Sequence, residues 1–120
     1  RINLAKRYDE AFAALHNCRP AQTAGRDQSA HHLYVLRIDF DSIGMSRGEL
    51  MQELRSRGIG SQVHYIPVPA QPHYHRLGFR VDDYPNSKKY YQEALRIPLF
   101  YDLTTTQQEE DILAVKELVG

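Results

Sequence analysis

Tryptophan is absent from this sequence, cysteine occurs once and methionine twice. The one cysteine, Cys18, leaves no partner for an intrachain disulfide framework. Net charge is missing too: 15 basic residues balance 15 acidic ones. That removes the net basic face with which a dedicated nucleic-acid binder neutralises phosphates, and the polybasic cluster of a membrane-surface anchor. No apolar run approaches the ~18 residues of a membrane span. The opening residues, RINLAKRYDE, lack the apolar stretch of a signal peptide. The expectation is a soluble, cytoplasmic chain with neither nucleic acid nor membrane as partner. What remains is ordinary. The 120 residues are 42% hydrophobic and 25% charged, enough for one domain with a modest core.

The pattern along the chain predicts a helix over residues 1–16, where Leu4, Tyr8, Phe12 and Leu15 recur at helical spacing. It starts on charged residues with no cap, as the tail of a longer helix would. Residues 17–30 are polar, contain Pro20 and Gly25, and read as a loop. Residues 32–40, HLYVLRIDF, read as a central strand with Tyr34, Leu36, Ile38 and Phe40 on one face. Ser46 with Glu49 fits a capping box for a helix that buries Leu50, Met51 and Leu54 and stops at Gly58. Residues 60–66 predict a second short strand, after which Pro67, Pro69 and Pro72 block regular pairing. A helical turn is expected over 72–77 and a helix capped by Asn86 over 87–95. Residues 96–100, RIPLF, follow as a short strand or extended segment whose Pro98 suggests an edge. Thr104 opens a last helix burying Ile112, Val115 and Val119. The fold class is therefore α+β: a two-layer sandwich, its small sheet of about three strands covered by helices mainly on one face.

The segment most suited to chemistry is 58–75, GIGSQVHYIPVPAQPHYH. It sets His64, Tyr65, His73, Tyr74 and His75 on a proline-stiffened loop after a strand, the kind of place where binding residues concentrate. Five of the eight tyrosines and three of the six histidines fall within 64–91. The same pattern also suits a surface loop whose aromatics anchor it to the sheet. A metal site is the sharper alternative, since an extended chain would put His73 and His75 on one side, with His31 and His32 as further imidazoles. No Cys pair accompanies them, and neither His-x-x-x-His nor Glu-x-x-His spacing occurs. Cys18 stands beside Arg19, which would lower its pKa if the two were close. There is no Gly-x-Ser-x-Gly elbow, no phosphate-binding loop and no Gly-x-Gly-x-x-Gly. Asp39, Asp41, Asp82 and Asp83 read as strand-end and turn residues, and Lys88-Lys89 as a solvated face. The chain alone presents no complete active site and no metal site.

An ordered set of short pieces nonetheless resembles the C-terminal domain of DegT/DnrJ/StrS-type aminotransferases. The pieces are Leu33-Tyr34-Val35, Arg47-Glu49-Leu50, Gly58-Ile59, Val63-His64-Tyr65-Ile66-Pro67, Gln71-Pro72 with Tyr74, Tyr84-Pro85-Asn86, Ile97-Pro98-Leu99-Phe100 and Leu103-Thr104. The resemblance runs roughly from residue 1 to 118. Its wording around His64-Tyr65-Ile66-Pro67-Val68 is most similar to transaminases of UDP-4-keto-6-deoxy-N-acetylhexosamines in the pseudaminic acid pathway. Pro69-Ala70 departs from the His-Leu-like pair of many relatives.

The resemblance implies the small domain of a fold-type I enzyme that uses pyridoxal phosphate to move an amino group, typically from glutamate, to C4 of a nucleotide-linked keto-sugar. It implies a helix over 1–16 that bridges to a large N-terminal domain, and a small α+β domain over 30–120. The Schiff-base lysine and phosphate cradle belong to that large domain, and Lys6, Lys88, Lys89 and Lys116 match none of its motifs. The chain by itself is thus expected to be inactive, with no catalytic and no cofactor-binding residue of its own. His64, Tyr65, Ile66 and Pro67 are the implied substrate-binding residues. The expected partners are the large domain, the nucleotide-sugar, and further copies of the chain meeting through helix 1–16 or loop 66–76. The alternative reading is a free-standing nucleotide-sugar- or metal-binding module built on the His64–His75 loop.

Overall fold

The computed structural model describes residues 2–21, 33–63 and 67–120. Helix α1 (Ile2–Phe12) leads into β1 (Cys18–Pro20), then β2 (Tyr34–Ile38), the short α2 (Phe40–Ile43) and α3 (Arg47–Ser56). A 3-10 turn over Val68–Ala70 leads to α4 (Pro72–Arg76), and another over Val81–Asp83 to α5 (Pro85–Glu93). Strand β3 (Ala94–Ile97) and the long α6 (Thr105–Val119) complete the described elements.

The strands form an antiparallel sheet in the order β1-β2-β3, so the strand expected to be central is central. Its register pairs Tyr34 with Ile97, Leu36 with Leu95 and Cys18 with Ile38. Alternation then puts these apolar side chains on one face. There they join Ala5, Tyr8 and Phe12 of α1, Leu50 and Leu54 of α3, and Ile112, Val115 and Val119 of α6 in one buried core. The opposite face is covered more thinly. Arg37 reaches from it to α5, where its guanidinium meets Glu93 at 2.6 Å and stands over the Tyr90 ring. The architecture is the two-layer α+β sandwich expected, with helices mainly on one face.

Several boundaries differ from the sequence reading. Helix α1 ends at Phe12 rather than 16, because the chain must turn for Asn17 to accept the Asp39 N–H at 2.8 Å beside β1. The start of the supposed loop at 17–30 is instead edge strand β1; Pro20 is tolerated because an edge leaves its missing N–H unused. Residues 22–32, with His31 and His32, lie outside the described residues. Phe40 leaves the strand to start α2, where the Asp39 side chain caps the Ser42 N–H. Of the expected strand 60–66, the described part makes one bridge, Gln62 with Arg96. Helix α5 begins at Pro85, whose fixed φ suits the first helical position, so Asn86 lies inside the helix and does not cap it. Its last two expected residues belong to β3, which ends at Ile97 because Pro98 has no N–H to offer.

Candidate functional site

The proline-rich segment folds as a series of tight turns. Pro67 precedes the 3-10 turn, and Pro72 occupies the start of α4, which Gln71 precedes without a side-chain cap. Gly78 has φ of +97°, a conformation that costs glycine nothing. This reversal lets Phe79 N–H donate to the Tyr74 carbonyl at 3.1 Å and sets the two rings edge to face, 6.0 Å apart. His73 packs its ring against Tyr74 at 5.2 Å.

Helix α5 supplies the facing wall. Arg47 of α3 stands over the Tyr91 ring at 4.7 Å, and its guanidinium donates to the carbonyls of Tyr91 and Ala94. Arg37 does the matching job at Tyr90, its guanidinium 5.6 Å from the ring centre. Burial raises the Tyr90 phenol despite the opposing effect of Arg37. Two arginines thus fix the helix that carries two adjacent tyrosines.

Between these walls runs an open groove of about 740 Å³, lined by Pro67, Val68, Pro69, Tyr74, Phe79, Tyr84, Asn86, Ser87, Tyr90 and Tyr91. None of these residues is charged. The groove offers flat ring faces, four phenol oxygens, one amide and one hydroxyl. Such a surface can stack against a ring or an apolar sugar face and hydrogen-bond a neutral polar group. Among the described residues its lining includes no carboxylate, amine or imidazole.

Of the four residues implied by the resemblance, Pro67 stands at the lip of this groove, half-buried. His64, Tyr65 and Ile66 lie outside the described residues. His73 and His75 do not share a side as an extended chain would have them. They are two apart on helix α4, where such neighbours point away from each other. Among the described residues, no group of three or more His, Cys, Asp or Glu could hold a metal ion. The sequence reading names none of Phe79, Tyr84, Asn86, Ser87, Tyr90 and Tyr91 as binding residues, although Tyr84 and Asn86 belong to one of the family-like pieces. The concentration of tyrosine over 64–91 is the signal for Tyr84, Tyr90 and Tyr91, but helical spacing alone does not show which of them face the loop.

Pyridoxal phosphate needs a lysine for its aldehyde and a cationic or N–H-rich cradle for its phosphate. Lys88 is paired with Asp82 at 2.6 Å on the surface. Lys89 borders a hollow it shares with Asp39, Asp41 and Glu93, an acidic setting that repels phosphate. Lys6 and Lys116 are exposed on helices α1 and α6. Among the described residues, these four lysines do not offer the aldehyde partner and phosphate cradle that pyridoxal phosphate needs.

The sequence model of the DegT/DnrJ/EryC1/StrS aminotransferase family matches residues 1–116. The chain belongs to this family. Spore coat polysaccharide biosynthesis protein SpsC of Bacillus subtilis is 32% identical over 121 residues, which take in 99% of this chain and 31% of SpsC. Spr1654 from Streptococcus pneumoniae, assigned as a sugar aminotransferase and solved in its PMP-form, superimposes with a TM-score of 0.83 at 30% identity. That match takes in 98% of this chain and 29% of Spr1654. Helicobacter pylori PseC, an aminotransferase of pseudaminic acid biosynthesis, shares the fold at a TM-score of 0.85 and 21% identity, over 98% of this chain and 31% of PseC. The aminotransferase family is thus matched over nearly the whole of this chain, while the chain spans about 30% of the length of these relatives. Among the described residues no helix is long and apolar enough to cross a membrane.

Proposed function

We propose that this chain is the C-terminal small domain of a cytoplasmic, pyridoxal-phosphate-dependent aminotransferase. The enzyme transfers an amino group from glutamate to C4 of a nucleotide-linked keto-sugar destined for a cell-surface polysaccharide. The observation that carries the reading is the family match over residues 1–116. Residues 1–16 bridge to a large catalytic domain outside this chain, and 30–120 form the small domain. The large domain supplies the Schiff-base lysine and phosphate cradle that the four lysines here do not provide. His64 and Tyr65 donate hydrogen bonds to sugar or diphosphate oxygens, and Ile66 and Pro67 shape the wall beside them. A sugar aminotransferase among the relatives, Spr1654, supports the substrate class.

The test compares the 120-residue chain with the full-length enzyme. The chain alone is expected to form no borohydride-reducible cofactor adduct and to show no turnover. In the full-length enzyme, His64→Ala and Tyr65→Phe are expected to slow the sugar half-reaction about 10- to 150-fold, the worth of a hydrogen bond to a charged group. Cofactor loading and the glutamate half-reaction stay near wild type. Equal loss of both half-reactions would show that the two residues only pack the loop. Turnover by the isolated chain would overturn the domain assignment.

A further inference from the structure

Three elements meet at one phenol. Tyr8 Oη of α1 lies 2.7 Å from the Pro98 carbonyl, just beyond β3, and 2.8 Å from Asp111 Oδ2 of α6. Both separations are hydrogen-bond distances. The phenol carries one proton and the carbonyl none. With Asp111 ionised, Tyr8 could serve only one of the two oxygens, and the other would press against it as acceptor on acceptor. A proton split between them would serve neither well, because hydrogen bonds weaken steeply away from linearity. Both contacts are good hydrogen bonds only if the carboxyl brings a proton of its own.

The surroundings favour that state. Tyr8 is fully buried and Asp111 is 5% exposed, so water does little to solvate a carboxylate here. From α1, Arg7 is turned to Glu109 at 2.8 Å and to Gln108 Oε1 at 3.5 Å, while Asp9 accepts a hydrogen bond from Tyr34 of β2. Tyr34 packs its ring against that of Tyr8, tilted by 43° with the centroids 4.8 Å apart. From α6, Glu110 adds a second negative charge beside Asp111. Among the described residues no cation pairs with Asp111. Burial raises the Asp111 carboxyl above its ordinary range; the Tyr8 hydrogen bond opposes this and Glu110 adds to it.

We propose that the Asp111 carboxyl carries a proton at its contact with Tyr8 in the folded chain. It donates that proton to Tyr8 Oη, and Tyr8 donates in turn to the Pro98 carbonyl. Carboxyl, phenol and carbonyl form a pH-sensitive latch that closes α1 onto the end of the sheet and onto α6. The sign follows from proton binding. The folded chain holds this proton over a range where the unfolded chain has released it. The latch therefore contributes in full below the unfolded value of about 3.9 and is lost as pH rises through the folded value.

The test is a carbon-13 NMR titration of the Asp111 carboxyl in the 120-residue chain, with amide exchange across α1 followed over the same pH range. The Asp111 midpoint is expected above about 3.9, and α1 protection is expected to fall as pH rises through it. In Asp111→Asn the amide N–H₂ donates to Tyr8 Oη at every pH, so α1 protection should be flat across that window. A midpoint at or below about 3.9 would overturn the proposal, whatever the variant does. So would wild-type protection that ignores pH, or an Asn variant with the wild-type pH dependence.

Discussion

At the scale of single residues, Cys18 shows how a neighbour in sequence differs from a neighbour in space. Beside Arg19 its thiol would be acidic. In β1, however, adjacent side chains point to opposite faces, so Cys18 enters the core opposite Ile38 while Arg19 faces solvent. Burial pushes the thiol up to about 11. Since the thiolate is the reactive form, alkylation by iodoacetamide at pH 8 should run on the order of 100-fold slower in the native chain than in urea. Equal rates would show that Cys18 is accessible and ionised. Gln108 is another residue whose role comes from space. It is fully buried, yet its amide donates to the Leu4 carbonyl at 2.7 Å, so it ties α6 to α1 with no unmet polar atom. No periodicity marks such a residue, because polar type predicts exposure.

At the scale of elements, local chemistry sets most ends. Thr104 and Gln107 form a full capping box at the start of α6, with bonds of 3.0 and 3.1 Å in the two directions. At α3 the expected box is half made: Ser46 Oγ accepts from Glu49 N–H, without a return bond from the Glu49 side chain. Gly58 ends α3 with φ of +79°, and no atom lies within 4 Å of where a Cβ would stand. Gly58→Ala should therefore destabilise through backbone strain alone, by about 1–2 kcal/mol. Gly48 sits in the first turn of the same helix, where a Cβ would come no nearer than 4.0 Å to Ser46 Oγ. Gly48→Ala should stabilise by roughly 0.5–1 kcal/mol, through helix propensity and a less flexible unfolded chain. Urea titration of the two variants against wild type checks both signs, and a shared sign would refute the account.

At the scale of the whole molecule, the apolar surface is unevenly spent. The stripe on α1 is not free for self-association: Tyr8 and Phe12 are buried in the chain's own core, with Leu4 and Leu15 packed at its edge. The groove side is different, with Val68, Tyr74, Leu77, Phe79 and Tyr84 all exposed. Contiguous apolar patches of this kind mark interaction surfaces. We expect the 120-residue chain to associate through this side. Light scattering over a dilution series should show mass rising with concentration, and Phe79→Ser/Tyr84→Ser should keep the chain monomeric. A wild-type chain that is strictly monomeric at high micromolar concentration would remove the patch as an interface. Association that survives the double substitution would place the contact elsewhere.

The sequence alone determined those features that rest on short-range rules. Apolar alternation marked β2 and its buried face. A serine, a threonine and a glycine marked the ends of α3 and the start of α6. The ordered motifs marked the aminotransferase family, and proline placement marked the broken course after residue 66. Tertiary structure decided the rest, for reasons that act between distant residues. Cys18–Pro20 is a strand only because β2 lies beside it, and three residues carry too little pattern to announce themselves. Tyr84, Tyr90 and Tyr91 line a groove only because Arg37 and Arg47 hold α5 against the sheet and α3. Asp111 acquires a proton-sharing role only because α1 and the end of β3 bring a phenol and a carbonyl to it across about a hundred residues of chain.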